Sequence, residues 1–115
     1  MTANPVRNLS EIIPATIASG DTASDGVHLL GRIVCGIYMP ASWTAATVSF
    51  EASFDNETYH AVQSPTDAYS VSAAAGQYIA LQPEYFFGVK FLKIVSSAAQ
   101  GADRIINIAG ANPTL

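Results

Sequence analysis

Hydrophobic and polar residues alternate along much of this chain, in short runs separated by turn-forming residues. The clearest run covers residues 47–54, where Val48, Phe50, Ala52 and Phe54 share one face and Thr, Ser and Glu side chains share the other. Alternation with a period of two is typical of a β-strand with one buried and one solvated face. We therefore predict a half-buried strand at this position.

A second run, residues 33–39, is apolar at nearly every position and ends before Pro40. It predicts a strand covered on both faces that stops where proline has no amide hydrogen to donate. Cys35 within it is interpreted as a small buried hydrophobic residue, and Gly31 just before it as the position of a β-bulge. Trp43, in the following loop, either caps the core end of this strand pair, which we favour, or stacks as an exposed ring on a sugar or a partner protein.

The remaining elements are shorter. Residues 11–19 are interpreted as an edge strand because Pro14 interrupts them, and residues 58–63 as a hairpin partner of 47–54. Further strands are predicted at residues 27–30, 68–73, 77–81, 89–96 and 103–109, with one helical turn at residues 82–88. About eight strands at intervals of roughly 8 to 12 residues predict an all-β antiparallel sandwich, jelly-roll-like, with two four-stranded sheets. We divide the chain into an N-terminal arm at residues 1–14 and a single β-sandwich domain at residues 15–115.

Charge is scarce in this sequence. Charged residues make up 12% of the 115 residues, about half the usual share. A protein with so few charges is expected to cover much of its surface with neighbouring proteins. The net charge of −4 and five scattered Lys and Arg residues argue against nucleic acid as a partner, because no basic stripe can neutralise phosphates.

Other sequence signals concern the compartment. No apolar run reaches the length of a membrane span, and no signal peptide is expected at the N-terminus. A lone cysteine favours assembly in a reducing cytoplasm.

The sequence offers little for catalysis. The acidic residues lie mostly in predicted loops, His28 and His60 have no Cys or Glu at zinc-ligand spacing, and neither a G-x-S-x-G elbow nor a phosphate loop is present. The acidic turns at residues 20–25 and 55–57 are the positions where calcium could bind, although neither turn matches a dense ligand loop. Asp103 and Arg104 either form a structural ion pair or, as we favour, a solvated strand start. We expect no enzyme activity, no cofactor and no metal.

Two groups of residues are candidates for contacts with other molecules. Ile12 and Ile13 lie on the predicted edge strand at the N-terminus, which could pair with a strand of another chain. The aromatic residues of the second group either form a partner or glycan platform or belong to the core: Trp43, Tyr85, Phe86 and Phe87. Tyr59 and Tyr78 could join them in a sugar platform, with the core as the same alternative.

Several short motifs resemble those of small proteins encoded among the structural genes of tailed phages and prophages. They are GIYMPASWTAATVSFEAS, the pair Asp55 and Tyr59, AAGQYIAL, P-x-x-F-x-G, LKI-x-S and Q-x-A-D-R-I, spread over residues 27–109. Asn56 stands where such proteins often have glycine, a difference that should alter only the hairpin turn.

The resemblance implies a virion component. Jelly-roll proteins of this size in phages are often capsid decoration or cement proteins, commonly trimers, so the implied partners are a major capsid protein and further copies of this chain. The implied location is the capsid surface of a virion assembled in the bacterial cytoplasm. The alternative that the resemblance leaves open is a carbohydrate-binding or adaptor module of a tail or fibre.

Overall fold

The structure, a computed structural model, describes residues 10–112, with the backbone alone at Ser10. Nine β-strands and one 3₁₀ turn, Pro83–Phe86, account for the regular structure of these residues. The strands are β1 (Ser10–Ile17), β2 (Val27–His28), β3 (Ile33–Tyr38), β4 (Ala46–Ser53), β5 (His60–Ala61), β6 (Ser70–Ala73), β7 (Tyr78–Ala80), β8 (Phe91–Ser96) and β9 (Arg104–Ala111).

The strands form two antiparallel sheets. The four-stranded sheet has the order β1-β9-β3-β7, and the five-stranded sheet has the order β2-β8-β4-β5, with β6 also paired to β4. Strands β1 to β4 alternate between the two sheets, as do β7 to β9, which is the winding of a jelly roll. The predicted antiparallel sandwich is therefore confirmed. The second sheet gains a strand because β5 and β6 pair with different parts of β4.

The core lies between the sheets and is built from the inward residues of each alternating strand. Ile37, Ile108 and Ala15 point inward from one sheet, and Phe50 and Ile94 point inward from the other. Phe86, on the 3₁₀ turn, meets the Phe50 ring edge-on at 5.3 Å between ring centroids. Aromatic pairs favour this geometry, so the predicted helical turn closes one part of the core.

Trp43 packs against the rim of this core and is half-buried. Its indole Nε1–H donates a hydrogen bond of 3.3 Å to the carbonyl oxygen of Ala46, at the start of β4. The indole therefore satisfies its polar atom within its own loop. This position agrees with the interpretation of Trp43 as a capping residue.

The structure corrects the prediction for β3 in two respects. Tyr38 is exposed, so the strand is not covered on both faces; no second layer of the described residues lies outside this sheet. The bulge lies at Cys35, between Val34 and Gly36, and leaves the thiol only half-buried. Gly31 instead follows Leu30 in a turn where both residues have positive φ.

The predicted boundary between an arm and a domain falls inside β1. Residues 10–17 pair continuously with β9, so the segment 10–14 belongs to the sandwich, and residues 1–9 of the predicted arm lie outside the described residues. The position of Pro14 on β1 explains why a proline is tolerated there. Thr16, two residues further along, directs its amide and carbonyl away from β9 and bonds Asp25 with both. By alternation the Pro14 nitrogen faces the same open edge, where no hydrogen bond is lost.

Candidate interaction surface

The outward side of the four-stranded sheet is the most unusual surface of the described residues. Pairs of inward residues such as Ile13 and Ile108 alternate with pairs that must face outward, such as Ile12 and Ala109. Extending this register across the sheet gives the surface that we call the uncharged face, whose outward residues are Ile12, Pro14, Thr16, Ile33, Gly36, Tyr38, Tyr78, Ala80, Ile105, Asn107, Ala109 and Ala111.

None of these twelve residues carries a formal charge at neutral pH. The described strands of this sheet contain two charged residues, Glu11 and Arg104, at opposite ends of the sheet. Neither faces outward, because Glu11 is paired with Gly110 and Arg104 with Ile17, and both partners are inward positions. Glu11 forms a 2.9 Å ion pair with Arg32. The alternation of β1 and β9 therefore removes charge from the whole outward surface.

Four large side chains dominate the uncharged face. Ile12, Ile105, Tyr38 and Tyr78 each expose between 47% and 52% of their surface. Single exposed apolar side chains are ordinary, but several of them on one charge-free sheet surface are typical of surfaces that bind protein. Interface cores are depleted of charge and enriched in tyrosine.

The two tyrosines form a connected ridge on β3 and β7. Tyr38 lies opposite Tyr78 in the register, and their ring centroids are 4.5 Å apart. Burial, with smaller contributions from Tyr38 and Cys35, raises the pKa of the Tyr78 phenol. The Tyr78 phenol is thus neutral at physiological pH, and both tyrosines add hydroxyl groups to this charge-free surface.

The outward side of the five-stranded sheet has a different character. Thr47, Ser49, Ser70 and Ser72 face solvent there, and Glu51 lies directly opposite Lys93. Lys93 also places its Nζ 4.5 Å from the centroid of the Tyr59 ring. We call this the solvated face, because a polar outward side is normal for a sheet that borders water. The sandwich is therefore asymmetric, with one side suited to water and one suited to protein.

The open edge of β1 offers less to another strand than the sequence indicates. Thr16 already bonds Asp25 through both of its backbone groups, and Pro14 has no amide hydrogen. By the same alternation, the backbone groups of Ser10 and Ile12 are turned to this edge as well. Strand addition along the C-terminal half of β1 is therefore blocked, a common protection of exposed edges.

The six residues singled out from the sequence do not form one site. Ile12 lies on the uncharged face, whereas its neighbour Ile13 points inward and packs against the core. Phe86 is 1% exposed, so the structure corrects its interpretation as a possible contact: it is a core residue, because the 3₁₀ turn directs its ring between the sheets.

The other aromatic candidates are dispersed. Trp43 belongs to the core rim, as described above. Tyr85 lines a cleft beside β6 and β7, and Phe87 lines a separate shallow cavity with Phe54 and His60. A single platform built from Trp43 and the 85–87 cluster is therefore not formed.

Sequence reasoning missed two large members of the uncharged face, Tyr38 and Ile105, and assigned a third, Tyr78, to a sugar platform. A usable signal was present at Ile105, because Ile105 and Ile106 are consecutive and one of two neighbouring strand residues must face outward. The two tyrosines gave no such signal, since only the register of β3 with β7 places them together.

The acidic turns serve the backbone. Asp55 accepts hydrogen bonds from the amides of Glu57 and Thr58 and from the Ser53 hydroxyl, and these bonds lower the pKa of its carboxyl. Within residues 10–112 no three His, Cys, Asp or Glu side chains are grouped as metal ligands, and no helix there is long and apolar enough to cross a membrane.

Comparison with known proteins supports the fold. No family model matches the chain, and a search of curated proteins found no relative. Among solved structures, the chain is similar to the SPBc2 prophage-derived protein YomS, with a TM-score of 0.54 and 14% sequence identity over 93% of this chain and 98% of that protein. At this identity the similarity concerns the architecture, which spans nearly the full length of both chains.

Proposed function

We propose that this chain is a structural protein of a bacteriophage virion, and that it decorates the capsid by binding neighbouring major capsid subunits. The observation that carries the proposal is the uncharged face, a charge-free sheet surface on a chain that keeps its charges elsewhere. The motifs that resemble phage structural proteins support it, as does a fold similar to that of a prophage-derived protein.

The binding mechanism would be burial of this face against protein. Transfer of apolar surface out of water contributes about 25 cal/mol per Å², and no charged group of the uncharged face would have to be desolvated without a partner. Tyr38 and Tyr78 would supply specificity, because a phenol buries a large ring and still offers a hydrogen bond at its tip.

The size of the face favours several copies acting together. The four strands contain 25 residues, which cover roughly 400 Å² at the usual rise per residue and strand spacing. A stable interface needs about 800 Å² per partner, so one face alone binds weakly. A symmetric oligomer, for which we propose a trimer, would multiply such contacts on a symmetric shell.

The proposal is tested by charge placement. We would compare Ile105→Glu and Tyr38→Glu, on the uncharged face, with Thr47→Glu, on the solvated face, and measure co-sedimentation with capsids of the encoding phage prepared without this protein. Both changes on the uncharged face should weaken binding at least tenfold, whereas Thr47→Glu should bind like the unmodified chain. Equal binding by all four proteins would contradict the proposed surface.

The same experiment separates the head from the tail. Isolated tails and fibres are sedimented in parallel with the capsids. Binding to capsids supports a decoration protein, whereas binding confined to tails would replace it with an adaptor role that uses the same face.

A further inference from the structure

A cleft opens along the side of the sandwich, where the edges of the two sheets separate between β6 and β7. Its volume is about 630 Å³, within the range of roughly 300–1,000 Å³ that is usual for small-molecule sites. The loop before β6 contributes Ser64 and Asp67, and the segment after β7 contributes Gln82 and Tyr85. The cleft is thus built from two parts of the chain that only the fold brings together.

Two tyrosines form one wall of the cleft. Tyr69 and Tyr85 meet edge-on, with ring centroids 4.9 Å apart. Tyr69 is also stacked on the buried Phe50 ring at 5.9 Å, so the wall is fixed to the core. The planes of the two rings are 74° apart, so the wall is angled, and the C–H face of a sugar ring can pack on an aromatic ring fixed in this way.

The polar groups of the cleft are largely unused. The Gln82 amide group and the Tyr85 hydroxyl have no hydrogen-bond partner among the described residues. The Asp67 carboxylate has one contact, a long one of 3.4 Å from the Ser64 hydroxyl. The Tyr69 hydroxyl accepts from the Gln82 backbone amide at 3.3 Å and keeps its own hydrogen to donate.

Together these groups offer a carboxylate, a carboxamide and two phenols in one cleft. Such a set supplies both donors and acceptors for ligand hydroxyl groups.

The charge of the cleft restricts the ligand. Asp67 is the one formally charged residue among its lining residues, and the lining contains no Lys or Arg. A carboxylate without a neighbouring cation repels anionic ligands and accepts hydrogen bonds from hydroxyls. An extended peptide is also disfavoured, because β7 has only three residues with which to pair an added strand.

We propose that this cleft binds an uncharged saccharide, with the sugar ring packed on the Tyr69–Tyr85 wall and its hydroxyls bound by Asp67 and Gln82. The cleft opens at the side of the sandwich and shares Ala80 alone with the uncharged face. A virion protein could therefore use both at the same time. The inference does not depend on the proposed attachment to a capsid.

The test is a titration of the whole chain followed by amide chemical shifts. The neutral probes are maltotriose, mannotriose and triacetylchitotriose, and sialyllactose is the anionic comparison. At least one neutral probe should give saturable shifts confined to residues 64–70 and 80–85, with a Kd of roughly 1 mM. Asp67→Asn and Gln82→Ala should each weaken this binding about fivefold or more, whereas Glu84→Gln, a neighbouring exposed change, should leave it unaltered.

Several results would overturn the inference. They are the absence of saturable shifts with every neutral probe, stronger binding of sialyllactose than of any neutral probe, shifts centred on Tyr38 and Ile105 of the uncharged face, or unchanged affinity in both cleft variants. A spectrum of each variant without probe checks that it is folded, so that lost binding reports on the cleft.

Discussion

The Tyr78 ring lies across Gly36, its neighbour on the adjacent strand, and occupies the space in which a Cβ at position 36 would stand. The missing side chain on β3 therefore allows the tyrosine of β7 to lie flat on the sheet beside Tyr38. This arrangement gives the uncharged face its ridge, and it ties an edge strand of three residues to the centre of the sheet.

Gly36→Ala should displace the Tyr78 ring without unfolding the protein. The atoms that the new methyl group meets are at the far end of a side chain that can rotate away, so we expect a loss of about 1 kcal/mol in the free energy of unfolding. The measurement is urea denaturation of three variants: Gly36→Ala, Tyr78→Ala and the double variant that carries both changes. If the cost of Gly36→Ala is the same with and without the Tyr78 ring, the two residues are not coupled as described.

Tyr78 should also make stability depend on alkaline pH. Burial raises the pKa of its phenol in the folded chain, whereas the unfolded chain titrates near 10. As the pH rises, the folded chain therefore loses the Tyr78 proton at a higher pH than the unfolded chain does. The contribution of Tyr78 to the free energy of unfolding is complete below about pH 10 and is lost as the pH rises through the folded pKa.

We expect Tyr78→Phe to reduce this alkaline loss of stability, measured by thermal unfolding between neutral pH and about pH 11. The pKa of Tyr59 is raised too, again mainly by burial. Tyr59→Phe therefore serves as the comparison and should remove a separate part of the alkaline loss of stability. An unchanged alkaline profile in Tyr78→Phe would contradict the assignment.

Phe50 should be far more important for stability than the nearby Phe54. Phe50 is 1% exposed and contacts the Phe86 and Tyr69 rings, so Phe50→Ala should cost about 3–5 kcal/mol. Phe54 is 72% exposed, and Phe54→Ala should change stability by no more than about 0.5 kcal/mol. Chemical denaturation of both variants checks the contrast, and similar losses would argue against the described core.

Gln100 should behave as a core residue although it lies in a loop. Its side chain is 1% exposed; it accepts from the Thr44 amide at 2.9 Å and donates to the Thr44 carbonyl at 3.1 Å and the Ser96 hydroxyl at 2.9 Å. Gln100→Leu removes the partners of the Thr44 amide and carbonyl, although the Ser96 hydroxyl keeps its bonds to Ala98, and should cost about 2 kcal/mol in urea denaturation. Gln63→Leu, at an exposed position, is the matched control and should be nearly neutral; an equally mild Gln100→Leu would refute this role.

Local patterns in the sequence predicted local structure well. The alternation of residues 47–54 predicts β4, the turn after it predicts the hairpin with β5, and Pro83 with Gly88 predicts the 3₁₀ turn. The proline at position 14 correctly predicts an edge strand. Each of these depends on residues close together in the chain, where turn chemistry and side-chain period determine the outcome.

The surfaces depend on long-range pairing, which alternation alone does not specify. β1 pairs with β9, from the opposite end of the chain, and this register places Ile12 and Ile105 on the same side as Tyr38. Gln100 was invisible for the same reason, because its partner Thr44 lies on a distant loop. The cleft likewise joins Asp67 and Gln82 only after the two sheets close.

The most direct test of the uncharged face is radical footprinting of its tyrosines in the assembled particle and in the purified chain. Mass spectrometry would compare the modification of Tyr38 and Tyr78 with that of Tyr59, which lies beside Lys93 on the other side of the sandwich. If other protein covers the face, Tyr38 and Tyr78 should be strongly protected in the particle while Tyr59 is modified as in the free chain. Equal modification of Tyr38 and Tyr78 in both samples would show that the face remains open to water, contrary to the proposed assembly.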